Sequence, residues 1–333
     1  MTDAATHSHA APALDDTGVS ALVDALEPAP VRHTLSACLA GDISPPVALM
    51  QLLIQTEDAA RVQRLVADVR DRALASSATT HAPHVRERAV ALDRLAAEHE
   101  RGARRIEAML GSGMDTSAPA ATVDEGIAHC ERLFDWSVSQ SEETSVALYS
   151  LGSAEILGEA TAEVVALFEE WGVLGADRDV LEIGCGIGRF QVALASRARE
   201  VEGIDVSSGM IDAARRRTAG MDNVHVARST GRDLSLFENA RFDLVFAVDT
   251  VPYLVQSGMP LVEHHFAEAR RVLRPGGDFV ILNFSYRDDP ATDRADVDRL
   301  AAAHGFDVLI DGTFPFALWN GAAWRLRAGR SGG

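Results

Sequence analysis

The stretch that decides the fold is VLEIGCGIGRF at residues 180–190, an apolar run followed by three glycines at alternate positions. The apolar run is typical of a strand that is buried on both faces of a parallel sheet. Glycines directly after it indicate a tight turn into a helix. Because open α/β sheets bind ligands beyond the carboxyl ends of their strands, we expect the turn of Gly184, Gly186 and Gly188 to line a ligand site.

The residues around the glycines limit which ligands this turn can bind. The dinucleotide fingerprint G-x-G-x-x-G requires a glycine three positions after Gly186, where Arg189 stands. A phosphate-binding loop of the GK[ST] kind requires a lysine, but all 31 basic residues of this chain are arginines. The spacing G-x-G-x-G therefore favours a ligand without phosphate groups.

From residue 179 onward, apolar strand patterns alternate with helical patterns, which predicts an α/β fold with helices on both faces of a mostly parallel sheet. The last two strand patterns follow a helix and are separated by a short segment with Gly312, Pro315 and Gly321, so they are expected to lie antiparallel at one edge. The seven strand patterns are DVLEIG, EVEGID, NVHVAR, FDLVFAV, DFVILNF, FDVLID and AAWRLRA.

The part of the chain before the sheet has helical periodicity, with Val62, Val66 and Val69 on one face. A segment rich in Gly, Ser, Ala and Pro interrupts it and is typical of a linker. The predicted organisation is a disordered tail at 1–18, an all-α N-terminal module at 19–110, a linker at 111–121, and one α/β domain at 122–330, which consists of a helical lid at 122–175 and the α/β core at 176–330.

At these motifs the chain resembles the class I S-adenosylmethionine-dependent methyltransferases, whose first motif is a carboxylate followed by G-x-G-x-G. The resemblance covers about 145–328 and includes the LRPGG turn before the fifth strand pattern. It implies a seven-stranded Rossmann-like sheet, S-adenosyl-L-methionine as cofactor with S-adenosyl-L-homocysteine as product, and methyl transfer to a small-molecule acceptor. The cofactor contacts it implies at the glycine turn are Glu182, Gly184, Cys185, Gly186 and Gly188.

The same resemblance assigns roles at the ends of the next two strands. Asp205 ends the second strand pattern, where a carboxylate can accept hydrogen bonds from both ribose hydroxyls. Beyond the third strand the family has an acid that meets the adenine amino group, for which Asp233 is the candidate. The further cofactor contacts implied are Val206 and Met210 against the adenine, and Gly231 and Arg232 through backbone groups.

The acceptor side is less defined by the sequence. Asp249 ends the fourth strand pattern and Tyr253 follows it, so both are candidate catalytic residues, and Asp249 is also a candidate cofactor contact. A general base is needed only if the acceptor's nucleophile carries a proton. Candidate substrate or lid residues are Tyr149, Tyr253 and His264, whereas His264 and His265 together are also interpreted as exposed residues at a helix start.

Composition excludes some functions and leaves others open. The formal net charge of −18 disfavours nucleic acid and anionic membranes as partners, and Arg215–Arg217 is interpreted as a solvated helix end. Three cysteines without zinc-type spacing predict a reducing, cytoplasmic location and no metal. The N-terminal module could support a homodimer or bind a protein partner. An NAD(P)-dependent oxidoreductase and a non-catalytic, cofactor-binding regulator remain as alternatives.

Overall fold

The structure is a computed structural model, and it describes residues 19, 22–24, 26, 28–75, 83–112 and 120–329. The chain divides into two compact units, 1–100 and 101–333. The helix Glu100–Leu110, which the sequence analysis assigned to the N-terminal module, thus groups mainly with the second unit. The predicted tail at 1–18 and most of the predicted linker lie outside the described residues, so these boundaries stay predictions.

The described part of the first unit is helical. The side chain of Ser44 accepts a hydrogen bond from the Val47 amide at the start of its second helix, as expected for serine before two prolines. Val62, Val66 and Val69 are buried along one face of the third helix. The helices whose full bounds lie within the described residues are α1 (Ala29–Ala40), α2 (Pro45–Thr56), α3 (Ala59–Ala75) and α4 (Pro83–Glu98).

The second unit contains helices on both sides of one sheet, with a short 3₁₀ turn at Leu148–Ser150. Its helices are α5 (Glu100–Leu110), α6 (Val123–Gln140), α7 (Glu142–Val146), α8 (Ala154–Glu170), α9 (Arg189–Leu194), α10 (Ser208–Arg217), α11 (Val251–Ser257), α12 (Met259–Val272) and α13 (Pro290–His304). Its strands are β1 (Gly175–Ile183), β2 (Ala198–Asp205), β3 (Val224–Arg228), β4 (Phe242–Val248), β5 (Leu273–Leu282), β6 (Phe306–Thr313) and β7 (Ala323–Ala328).

The seven-stranded sheet has the order β3-β2-β1-β4-β5-β7-β6, with β7 antiparallel to both β5 and β6. The predicted fold class is confirmed, including the antiparallel edge. The strand order reverses between β1 and β4, which are parallel neighbours through Val180↔Leu244. This is the switch point at which open α/β sheets bind ligands, and the glycine turn follows directly from it.

The core packs against both faces of the sheet, because the central strands are apolar throughout and buried on both sides. Val245, Ile281 and Phe279 are at most 1% exposed. At the antiparallel edge, the buried Asp278 of β5 pairs with Arg325 and Arg327 of β7, each at 3.0 Å. Among the described helices, none combines the length and apolar character needed to cross a bilayer.

Candidate functional site

The glycine turn adopts backbone conformations that only glycine takes easily. The φ angles of Gly184, Gly186 and Gly188 are 76°, 51° and 79°, all in the left-handed region. The amides of Gly184 and Cys185 both donate to the Ile204 carbonyl, at 2.8 and 2.9 Å. These bonds tie the turn to β2, so the backbone at the end of β1 has a defined path with no side chain on the glycines.

Glu182 lies beneath this turn and is 2% exposed. Its Oε2 accepts a hydrogen bond of 2.8 Å from Gln191 Nε2 of α9. Gly203 stands opposite Glu182 in β2, and a Cβ there would lie 2.7 Å from the Gln191 amide nitrogen. Burial raises the pKa of Glu182 to about 8, although Gln191 and the Arg189 charge lower it. Glu182 therefore carries its proton at neutral pH and serves as an internal polar group of the turn.

Asp205 at the end of β2 connects the two sides of the turn. Its Oδ2 accepts from the Gly186 amide and its Oδ1 from the Ser207 amide, both at 2.9 Å. Burial raises the pKa of Asp205, and these backbone donors oppose that shift. A carboxylate has about four acceptor positions. The amides of Ser207, Gly186 and Val206 all act on Asp205, which leaves one position for a ligand hydroxyl.

Two further predicted cofactor contacts line one cavity. Val206 and Asp233 face a space of about 360 Å³ at the carboxyl ends of β2 and β3, which Ile127 of α6 also lines. A Cβ at Gly231 would lie 2.6 Å from Val206 Cγ1, so glycine is required for the close approach of the two loops. Asp233 accepts from both the amide and the hydroxyl of Ser235, which lowers its pKa.

The other predicted cofactor contacts differ in their surroundings. Met210 is buried at the start of α10, with its sulfur 4.0 Å from the Ser145 hydroxyl. Cys185 is buried in the turn, and burial raises the pKa of its thiol. The side chain of Arg232 pairs with Asp124 of α6, so only its backbone remains available for the predicted role.

The end of β4 carries a strained carboxylate. Asp249 has φ of 54°, a conformation that costs a non-glycine residue energy and is typical of functional positions. Its Oδ1 accepts from Asn283 Nδ2 at 2.7 Å and from the Tyr286 hydroxyl at 3.1 Å. Burial raises the pKa of Asp249, while Asn283 and the Arg189 charge lower it. The ring of Tyr253 lies edge-on to that of Tyr286, with centroids 5.9 Å apart.

Tyr149 is placed near this group of residues. It is 3% exposed, and its ring stacks on Trp319 with centroids 6.1 Å apart. Its hydroxyl makes no hydrogen bond of good geometry within the described part of the chain. Burial raises the pKa of Tyr149, and the charges of Arg189 and Asp249 act on it in opposite directions. An unpaired buried hydroxyl is costly, so this one is suited to a bound ligand.

The covering segment, defined here as residues 123–150, spans both parts of the site. Asp135 of α6 accepts from the Ser207 hydroxyl at 2.6 Å and from the Gly209 amide at 2.9 Å. Phe134, its neighbour, packs edge-on to Tyr253 with centroids 5.0 Å apart. A Cβ on Gly186 would lie 2.7 Å from Val146 Cγ1 at the end of α7. The covering segment thus contacts the β2 exit, the glycine turn and Tyr253.

Arginines hold the covering segment in place. Glu142 pairs with Arg216 and Arg217, both at 2.8 Å, and Glu143 pairs with Arg217 at 3.0 Å. Arg215–Arg217 form the last turn of α10 and Arg216 is 64% exposed, so the interpretation as a solvated helix end agrees with the structure but misses the ion pairs of Arg216 and Arg217. Their guanidinium groups reach across α10 to the acids of α7, a contact between residues more than 70 positions apart.

The two histidines of α12 also differ from expectation. His265 is 3% exposed and its Nδ1 lies 2.9 Å from the Leu261 carbonyl oxygen, so the expectation that both histidines are exposed is wrong for His265. His264 is exposed, and its charge acts on Asp233 and Glu268. The structure gives His264 no contact with Asp249, Tyr253 or Tyr149, so its role as a substrate or lid residue remains a prediction without geometric support.

Four residues of the site were missed by the sequence analysis: Gln191, Asp135, Asn283 and Tyr286. Asn283 and Tyr286 follow β5 directly, and the rule that ligands bind at the carboxyl ends of strands could have found them. Asp135 had no such signal, because its partners Ser207 and Gly209 lie more than 70 positions away, and Gln191 had none because no motif marks a helix side chain that turns back to β1.

The chain has recognisable relatives over this region. Residues 180–277 match the family described as "Methyltransferase domain". A demethylmenaquinone methyltransferase of Clavibacter sepedonicus is 32% identical over 153 residues, covering 46% of this chain and 57% of that protein. One from Staphylococcus aureus (strain JH9) is 36% identical over 112 residues, covering 32% of this chain and 42% of that protein. The chain thus spans about half the length of the curated relatives it matches.

Among solved structures, phosphoethanolamine N-methyltransferase 1 of Haemonchus contortus, determined with phosphoethanolamine and S-adenosylhomocysteine, has a TM-score of 0.51 at 19% identity. The likeness covers 64% of this chain and 51% of that one and shows a shared fold. The family match begins inside β1 and includes the glycine turn, Asp205 and Asp249. Over residues 180–277 the chain therefore matches the methyltransferase-domain family.

Proposed function

We propose that this protein is an S-adenosylmethionine-dependent methyltransferase that acts on a small-molecule acceptor. The observation that carries the proposal is the glycine turn at the switch point of the sheet, where the Asp205 carboxylate accepts from the Gly186 amide. This arrangement lies within the residues that match the methyltransferase family. A dinucleotide is disfavoured because Arg189 begins α9 where its third glycine would be.

The residues present fit this cofactor. Asp205 keeps an acceptor position for a ribose hydroxyl, and Val206 with Asp233 lines a cavity beside it for the adenine. The glycine turn leaves the backbone bare for the methionine part, and the buried Tyr149 hydroxyl makes no hydrogen bond of good geometry within the described residues. We assign Asp205, Val206 and Asp233 to the nucleoside, with Gly184 and Gly186 against the methionine.

When bound, the cofactor supplies a methyl group on a positively charged sulfur, open to in-line displacement. This chain's contribution is to hold and align the partners and to exclude water. The covering segment excludes water, because Phe134 packs on Tyr253 and Val146 packs against Gly186. Asp249 and Tyr253 lie where an acceptor would be positioned, and the raised pKa of Asp249 suits it to accept a proton from the acceptor.

The relatives do not establish which acceptor this chain uses. The Clavibacter and Staphylococcus proteins are named for demethylmenaquinone, but this chain spans about half of their length. We therefore propose a small-molecule acceptor and no particular quinone. We further propose a cytoplasmic location, supported by three unpaired cysteines, and a homodimeric or protein contact through the helices of residues 29–98.

Calorimetry with S-adenosylmethionine, S-adenosylhomocysteine and NADH tests the proposal. We expect binding of the first two and none of NADH. Incubation with S-adenosylmethionine and a cell metabolite extract should yield S-adenosylhomocysteine, detected by mass spectrometry. Absence of binding by both sulfur nucleosides would overturn the proposal, and binding without turnover in any extract would favour the regulator.

A variant pair locates the cofactor. Asp205→Ala should weaken binding by about 1–3 kcal/mol, since a ribose hydroxyl and the backbone amides lose their acceptor. Asp307→Ala is the matched control, because Asp307 is an exposed carboxylate on edge strand β6. Equal affinities of the two variants would contradict the role of Asp205.

A further inference from the structure

Asp249 presents an unsatisfied carboxylate oxygen. The hydrogen bonds from Asn283 and Tyr286 both end on Oδ1. Among the described residues, no side chain or amide donates to Oδ2. Asp249 is partly buried, so its Oδ2 is open to a donor from a ligand or from water. The strained backbone at Asp249, with φ of 54°, holds this oxygen in place at the end of β4.

Aromatic rings surround this carboxylate. Tyr253 stands between Phe134 and Tyr286, and its ring is nearly perpendicular to both, at 77° and 87°. Tyr286 is 53% exposed and therefore stands at the solvent side of the group. Burial and the charge of Asp249 raise the pKa of Tyr253, and the Asp249 charge acts in the same direction on Tyr286, so the two phenols stay neutral. Neutral aromatic rings beside a carboxylate are a favourable environment for an organic cation.

Tyr149 supplies a second, independent observation. Its hydroxyl is buried and makes no hydrogen bond of good geometry within the described residues, although the Arg189 side chain acts on it as a donor, and its charge interactions include Asp249. A hydroxyl can accept a hydrogen bond as well as donate one. A ligand with several N–H donors could therefore use both Asp249 Oδ2 and the Tyr149 oxygen.

The charges near Asp249 determine whether a cationic or an anionic ligand is favoured. Arg189 is the cation whose charge acts on Asp249 in the described part of the chain. Its guanidinium lies toward α8, 3.5 Å from the Thr161 hydroxyl and 4.5 Å from the centroid of the Phe190 ring. It makes no ion pair with Asp249, so the carboxylate is not neutralised within the protein. An anionic acceptor would meet this unpaired carboxylate, whereas a cationic one would neutralise it.

We propose that Asp249, Tyr253, Tyr286 and Tyr149 form a subsite for a small organic ammonium ion. Nitrogen would be the methylated atom after the ammonium has given one N–H proton to Asp249, because only the freed lone pair can displace the methyl group from the sulfonium. The assignment of this ligand as acceptor rests on the proposed function, but the binding of the cation does not. A primary or secondary ammonium donates to Asp249 Oδ2 beside the rings of Tyr253 and Tyr286. The subsite excludes carboxylates and distinguishes an ammonium from a hydroxyl by its charge.

Titration calorimetry with three isosteric probes tests the ammonium subsite. The probes are 2-phenylethylamine, 2-phenylethanol and phenylacetate, added to the full chain with and without saturating S-adenosylhomocysteine. We expect the amine to bind at least about tenfold more tightly than the alcohol, the effect of one charge-assisted hydrogen bond, and phenylacetate not to bind. Equal or tighter binding of the alcohol, or of phenylacetate, would overturn the proposal.

Variants assign the effect to this carboxylate. Asp249→Asn should lose the preference for the amine, with an affinity decrease of about tenfold. Glu263→Gln, an exposed acid on α12, should bind the amine like the parent chain and controls for net charge. If Asp249→Asn does not fold by circular dichroism, Tyr253→Leu serves instead and should reduce amine affinity several-fold. An unchanged amine preference in the folded variant would overturn the proposal.

The same titrations separate this proposal from the proposed function. Failure of S-adenosylhomocysteine to bind, with the amine still bound through Asp249, would remove the methyl transfer and leave the ammonium subsite. Binding of S-adenosylhomocysteine with no amine preference would remove the ammonium subsite and leave the proposed methyl transfer.

Discussion

The site has two sides that are built differently. The glycine-turn side, residues 182–188 with Asp205, is held by backbone bonds between two neighbouring strands, such as Gly184 N–H to the Ile204 carbonyl at 2.8 Å. The Asp249 side joins Asp249, Asn283, Tyr286 and Tyr149, which come from separate parts of the chain. Backbone hydrogen bonds restrict the conformation of the glycine-turn side, whereas side-chain contacts determine the arrangement of the Asp249 side. One fold can therefore keep its cofactor while its acceptor changes.

The largest expected effect comes from a side chain in the glycine turn. Gly186→Val should lower the free energy of unfolding by about 2–5 kcal/mol, the sum of left-handed strain and overpacking. Its Cβ would lie 2.7 Å from Val146 Cγ1. Urea unfolding measures the loss. Gly158→Ala on α8, where a Cβ meets nothing within 4 Å, is the control and should stabilise slightly. Equal stability of both variants would contradict the rigidity assigned to the turn.

The next effect depends on pH and on Glu182. Burial raises its pKa to about 8 from 4.5, so the folded state holds a proton that the unfolded state releases. Folding stability should therefore fall as the pH rises from about 4.5 to 8 and level off above it. Each tenfold shift of an ionisation equilibrium is worth about 1.4 kcal/mol, so the loss reaches a few kcal/mol.

Glu182→Gln removes this ionisation and keeps an acceptor for Gln191. Its stability should match the parent chain near pH 5 and exceed it at pH 9, as measured by thermal unfolding across pH. Glu159→Gln, an exposed acid on α8, should follow the parent curve. Parallel curves for Glu182→Gln and the parent would show that Glu182 is ionised in the folded protein.

On the Asp249 side, Asn283→Ala should separate the acceptor from the cofactor. Asn283 donates to Asp249 and accepts from the Ala322 amide at 2.9 Å. Losing both bonds should lower the free energy of unfolding by about 1–3 kcal/mol, with S-adenosylhomocysteine affinity unchanged by calorimetry. Asn239→Ala, at an exposed position, controls for the side-chain type. A parallel loss of cofactor affinity would mean that the two sides are one unit.

The smallest effect concerns the covering segment, which contacts both sides. Glu142→Gln removes one carboxylate from the pairs with Arg216 and Arg217, which are partly exposed. The loss should be about 0.2–1 kcal/mol and decrease with added salt. Stopped-flow measurement should show faster release of S-adenosylhomocysteine at low salt only. Release at the parent rate at every salt concentration would show that these ion pairs do not hold the covering segment in place.

Much of the glycine-turn side could be predicted because its determinants are adjacent in the chain. Three glycines at alternate positions required left-handed backbone, and Asp205 followed from its place at a strand end. The Asp249 side could be predicted only in part. Asp249 and Tyr253 were found from the end of β4, but Asn283 and Tyr286 reach them only through the pairing of β4 with β5. The prediction that His265 is exposed was wrong, because helix periodicity alone did not show which face of α12 is buried.

By itself, the sequence determined the α/β class, the glycine turn and the exclusion of a lysine-bearing phosphate loop, because each depends on local pattern or composition. The tertiary structure alone decided that Glu182 is buried with a pKa of about 8, that Arg216 and Arg217 bind the acids of α7, and that Asp249 keeps one oxygen unpaired. These properties depend on burial and on contacts between residues far apart in the chain, which no local pattern encodes.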